Sequence, residues 1–117
     1  MLPDVIRLRH MLQAAELAIQ FVDGISREAF DLNIGLQFQV IRALEIIGEA
    51  ASSLSLEFQQ THPSLPWSLM KRMRNRLIHA YYTVDLDIVW DTLQNNIPQM
   101  IPELQSIIAQ DEKRSII

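Results

Sequence analysis

Apolar residues in this chain recur every three or four positions, and no segment alternates with period two. That spacing draws one apolar stripe along an α-helix, so it confines the 117 residues to an all-α fold. Val5, Leu8, Leu12, Ala15, Ile19 and Val22 predict a helix from Pro3 to Val22, with proline suited to its first turn and Asp23-Gly24 as its stop. Ser26 is a candidate N-cap for a short turn through Phe30, with Glu28 in the first turn. Asp31 or Asn33 then opens a longer helix to about Leu56, carrying Leu36, Val40, Leu44, Ile47 and Ala51 in register. Gly35 and Gly48 interrupt that pattern at roughly 1 kcal/mol each relative to alanine, which predicts points of close helix approach.

His62-Pro63-Ser64-Leu65-Pro66 is a loop, because two prolines so close together cannot sit inside a helix. A third helix is expected from Trp67 to about Ala80, followed by a connector at Tyr82-Thr83-Val84. Asp85 caps a fourth helix with Leu86, Val89, Trp90 and Leu93 on one face. Pro98 and Pro102 should kink or split it before Glu103 to Gln110, and the uncapped stretch 111–117 should fray as a flexible tail. The expectation is one domain over residues 1–117, an up-and-down bundle of four main helices. Apolar residues make up 49% of the chain, enough for Trp90 and the run from Ile97 to Ile101 to stay partly exposed. Such a surplus is best covered by a second copy or a partner.

Several chemistries drop out early. The absence of cysteine removes disulfides, thiolate catalysis and thiolate-held zinc. No window reaches the length of apolar run that spans a bilayer, and Asp4, Arg7 and Arg9 do not suit a secretory signal, so a cytoplasmic location without membrane association is expected. There is no Gly-rich phosphate loop and no His-Glu-x-x-His element. His10 and His62 lack metal-ligand partners at useful spacing and read as structural or exposed, Glu45 and Glu49 as a structural pair, and Asp85, Asp87 and Asp91 as caps and surface. No cofactor is implied.

Against a formal net charge of −4, four of the ten lysines and arginines fall between positions 71 and 76. The stretch Lys71-Arg72-Met73-Arg74-Asn75-Arg76-Leu77-Ile78-His79-Ala80-Tyr81-Tyr82 therefore reads as one focused anion site on an acidic protein. Its spacing limits what a single copy can do. Residues five apart on a helix lie about 140° from each other, so Arg74 and His79 do not share a face, whereas Asn75 and His79 do. A site using both needs the arginine to curl round, the helix to end near His79, or a second copy to supply the other half. Metal-free RNA cleavage needs proton transfer near neutrality and a cation on the phosphate, which are the abilities of histidine and arginine. One of each per chain is too few for an acid–base pair; two of each across a dimer suffice. The plainer alternatives are a solvated basic face for Lys71, Arg72 and Arg76, a dipole-favoured helix C-terminus for His79, and packing for the tyrosines.

Arg74-x4-His79-x-Tyr81, the run from Val84 to Trp90, the Pro66-Trp67 helix entry and Ile41-Arg42-Ala43-Leu44-Glu45-Ile46-Ile47-Gly48-Glu49-Ala50-Ala51 occur in the order of the HepT-like family. The chain resembles these toxins of the HEPN superfamily over nearly its whole length. The resemblance implies a dimeric four-helix bundle with two Arg-x4-His motifs at a shared cleft and metal-independent ribonuclease activity. It gives Arg74 the scissile phosphate, His79 proton transfer and Asn75 a supporting part; Lys71, Arg72 and Arg76 are candidate contacts to RNA phosphates on the strength of the basic stretch alone. It also implies a type VII-like toxin–antitoxin pair, in which an MntA-like nucleotidyltransferase neutralises the toxin by adenylylating Tyr81, with Tyr82 as the neighbouring alternative. A second reading is a non-catalytic HEPN module that docks that nucleotidyltransferase.

Overall fold

Side-chain caps set where several of the helices begin. In the computed structural model, which describes residues 3–79 and 84–116 and leaves the side chains of Ile78, His79 and 114–116 outside the description, the helices are α1 (Asp4–Val22), α2 (Arg27–Asp31), α3 (Ile34–Ser53), α4 (Leu56–Thr61), α5 (Trp67–His79), α6 (Leu86–Asp91) and α7 (Ile97–Ile116). A π turn, Thr92–Asn96, joins the last two, and the described residues contain no strand. Ser26 accepts from the Ala29 N–H at 3.1 Å and opens α2; Asn33 accepts from Leu36 at 3.0 Å and so, rather than Asp31, opens α3. Asp85 does the same for α6, accepting from Asp87 at 2.9 Å. Each cap satisfies one of the orphan donors of a first turn, an effect of about 1 kcal/mol. Gly24, at φ +72°, takes the left-handed position that follows α1.

The apolar stripes meet in one core. Leu8, Met11 and Ala15 of α1 and Val40, Leu44 and Ile47 of α3 belong to one buried cluster, which continues through Met73, Leu77, Leu93, Ile97 and Leu104. α1 packs along α3 and α7, and α3 packs along α5. Directions follow from the ends: Ser55, just past α3, donates to Asp4 at the start of α1, and Arg9 pairs with Glu112 near the end of α7. Arg27 bridges Asp31 and Asp87 at 2.8 and 2.7 Å, tying α2 to the start of α6.

Several expectations are corrected. α3 stops at Ser53 rather than near Leu56, because the extended Leu54 breaks it and Ser55 caps a separate helix, accepting from Phe58 at 3.1 Å. The split in the last long helix falls at Thr92–Asn96, ahead of Glu103, where the Ile97 N–H reaches back five residues to the Thr92 carbonyl. Beyond it α7 runs straight through Pro102. Pro98 and Pro102 are both exposed, and the carbonyl deprived of its donor by Pro102 is that of Pro98, so water can satisfy it. The helix continues to Ile116, where fraying was expected from Asp111, and the Arg9–Glu112 pair holds this end to α1. Ile97 and Met100 are buried, whereas Trp90 and Ile101 stay partly exposed as expected, the Trp90 ring lying 5.2 Å from that of Phe30. The most exposed of the described large apolar residues are Leu32, Ile34, Phe38 and Leu56. Gly35 is exposed and marks no helix contact, whereas Gly48 does.

Candidate active site

Helix α5 is anchored at its start. Pro66 sets the backbone leading in, its carbonyl accepts from Met70 at 3.1 Å, and the Trp67 indole N–H donates to the His62 carbonyl at 2.8 Å. His62 packs on Phe58 with ring centroids 4.4 Å apart, which supports its structural reading. Met70, Met73 and Leu77 turn into the core, so the polar residues between them are carried on the remaining faces of the helix.

Arg74 lies where α5 crosses α3. A Cβ on Gly48 would come within 2.3 Å of the Arg74 Cβ and 3.0 Å of the Met70 carbonyl, so only a glycine lets the two backbones approach this closely. The arginine stem is thereby pressed onto α3, and the residue is half-buried. Its Nε is buried without a hydrogen-bond partner, and Nη1 makes one long contact, 3.4 Å, with Asn75 Oδ1. A buried unpaired donor costs on the order of 1–3 kcal/mol, and a guanidinium edge held this way is short of an acceptor. The Nη side of the fork, whose contact with Asn75 is exposed, is the edge that can receive an oxyanion such as a phosphate.

The other cations divide into two groups. Lys71 donates to Gln59 Oε1 at 2.7 Å, while the buried Gln59 amide donates to the Ala51 and Leu54 carbonyls at 3.2 and 3.1 Å. Lys71 is thus tied to the end of α3. Arg72 and Arg76 are exposed one turn apart on α5, with Arg72 Nε donating back to the Ser68 carbonyl at 3.4 Å. His79 is the last residue of α5 and is described by its backbone; its register places it on the stripe of Arg72, Asn75 and Arg76 and about 140° from Arg74. α5 is helical through His79, so that offset holds within one copy. Tyr81 and Tyr82 lie outside the described residues. Arg42 is engaged on α3 by Glu45 and Glu49 at 3.3 and 3.9 Å, in keeping with the structural reading of that acidic pair. Among the described residues, no three His, Asp or Glu gather as metal ligands.

Sequence reasoning flagged Gly48 as a close approach but did not identify Arg74 as what it approaches, and it missed Gln59 altogether. A costly glycine inside a long apolar stripe was the signal for the first. A neutral glutamine carries no comparable signal. It also missed a cleft of about 360 Å³ between α5 and the start of α6, with Arg72, Arg76 and Asp85 among its lining residues.

Residues 11–107 match the family described as Ribonuclease HepT-like. A protein of Thermococcus cleftensis named "Probable ribonuclease HepT" is 44% identical over 93 residues, covering 80% of this chain and 84% of that protein. Proteins each named "Putative RNase", from Caldanaerobacter subterraneus and Methanocaldococcus jannaschii, are 38% and 35% identical over 105 residues, which is 90% of this chain and 94% and 87% of theirs. No solved structure gives a significant match. Since the family match spans most of the chain and the relatives align over most of their own length, this protein belongs to the HepT-like ribonuclease family.

Proposed function

We propose that this protein is a metal-independent endoribonuclease acting as a homodimer, and that it is the toxin of a type VII-like toxin–antitoxin pair. The observation that carries the reading is Arg74, whose stem is pressed against Gly48 and whose Nη1 makes one long, exposed contact at 3.4 Å. The relatives' printed names, all ribonucleases, give the anion its chemistry.

In this reading the Arg74 fork binds the non-bridging oxygens of the scissile phosphate and stabilises the charge that grows on them. One His79 imidazole takes the 2′-hydroxyl proton. The 2′-oxygen then bonds to phosphorus, the bond from phosphorus to the 5′-oxygen breaks, and the imidazolium of the second copy's His79 protonates the leaving oxygen. The products are a 2′,3′-cyclic phosphate and a free 5′-hydroxyl. The 140° offset between Arg74 and His79 is the reason for two copies: facing α5 helices bring both motifs to one cleft. Asn75, beside Arg74 and one turn before His79, orients either group. Control follows the same electrostatics. An MntA-like nucleotidyltransferase adenylylates Tyr81, and the added phosphate charge and bulk repel RNA from the basic helix.

The test uses protein whose intact mass shows no added AMP, incubated with total cellular RNA in EDTA. Fragments carrying 2′,3′-cyclic phosphate ends are expected. Cleavage that appears only when Mg²⁺ is returned would contradict the mechanism, and absence of cleavage by folded, unmodified dimer would contradict the enzyme.

A further inference from the structure

Helix α5 carries a second anion-facing surface that the Arg74 site does not use. Between α5 and the start of α6 lies a cleft of about 360 Å³, with apolar walls from Leu69, Met73, Val84 and Ile88. Arg72, Arg76 and Asp85 line it as well. Among the described residues neither arginine has an ion-pair partner, in contrast to Arg9, Arg27 and Arg42. Ile88 is 37% exposed, so apolar surface remains open at the mouth. The volume sits at the lower end of the range for small-ligand pockets, about 300–1,000 Å³, which suits one planar ring system and not a folded segment.

Two guanidiniums one turn apart beside an apolar slot match a nucleotide: the ring enters the slot, and the fork of each arginine can either grip phosphate or stack on a base. Asp85 adds a polar selector. One carboxylate oxygen accepts the Asp87 N–H at 2.9 Å, which leaves the other as an acceptor beside the cleft. The position is also apt, because Arg72, Arg76 and position 79 share one stripe of α5.

We infer that this cleft is a nucleoside subsite, taking one base of the RNA next to the scissile phosphate. Arg72 and Arg76 hold the flanking phosphate, and Asp85 favours bases that carry an exocyclic amine. Uracil is disfavoured because its lone N3–H lies between two carbonyl oxygens that a carboxylate repels. The inference rests on the ribonuclease reading, so binding is measured separately from cleavage.

Adenosine monophosphate, uridine monophosphate and inorganic phosphate are each titrated into full-length His79→Ala protein, followed by amide chemical shifts. Adenosine monophosphate is expected to bind about tenfold or more tightly than the other two, with shifts centred on α5 and α6. Arg72→Ala/Arg76→Ala should weaken it at least tenfold. Ile88→Trp, which fills the slot from its open side, should abolish the preference over inorganic phosphate. Asp85→Asn keeps the helix cap and should shrink the gap between the two nucleotides. Equal binding of all three ligands, or an unchanged preference in Ile88→Trp, overturns the subsite. If the wild type cuts no RNA while the nucleotide preference persists, the ribonuclease reading fails and the cleft stands as a nucleotide site. If the wild type cuts RNA and the preference is absent, the subsite alone fails.

Discussion

Arg74 and Gly48 are a pair whose meaning lies in their contact. The glycine weakens α3 as a helix, yet any side chain there would strike the stem of Arg74 within 2.3 Å, at an atom that cannot swing away as a flexible tip could. Gly48→Ala is therefore expected to lower stability by about 1–3 kcal/mol, read from denaturant melts, and to slow RNA cleavage at least tenfold by moving the guanidinium. A variant that is destabilised but cuts RNA at the wild-type rate would detach the glycine from the site. Arg74→Lys keeps the charge and loses the bidentate fork, so its cleavage should fall well below wild type with little change in melting temperature.

Helix α5 sorts its cations into tied and exposed groups. Lys71 is held by Gln59, and Gln59 closes the end of α3, so this unit fixes the two helices against each other. Gln59→Leu should destabilise the fold by about 1–3 kcal/mol, because the Ala51 and Leu54 carbonyls lose their donor. In salt titrations of RNA binding, Lys71→Met is expected to leave the slope of log affinity against log salt unchanged, whereas Arg72→Ala and Arg76→Ala each reduce it by about one phosphate contact. The helices themselves were legible in the spacing of Leu36, Val40, Leu44, Ile47 and Ala51, and in caps such as Ser26 and Asp85, because period and capping are local properties. The π turn was not. Pro98 and Pro102 announced an interruption, but both sit on the exposed side of α7, which runs on through them. The motif from Arg74 to His79 was legible as a pattern of residues. Its geometry was not, since the partner of Arg74 comes from α3, far away in sequence.

At the scale of the whole molecule, the proposed mechanism ties activity to assembly through the offset between Arg74 and His79. The register of α5 sets the two residues about 140° apart within one bundle, and the bundle's exposed apolar residues Leu32, Ile34, Phe38 and Leu56 leave surface for another chain to cover. We expect sedimentation to give a dimer at micromolar concentration, and specific activity to fall on dilution as the copies separate; constant activity in a verified monomer would contradict the shared cleft. The measurement that bears most directly on the central claim compares wild type, Arg74→Ala and His79→Ala on one RNA in EDTA, with circular dichroism confirming equal helicity. The account predicts cleavage by the wild type and a loss of roughly 10²-fold or more in each variant, as expected when a proton-transfer group or an oxyanion-binding group is removed. Undiminished cleavage by folded His79→Ala would contradict it.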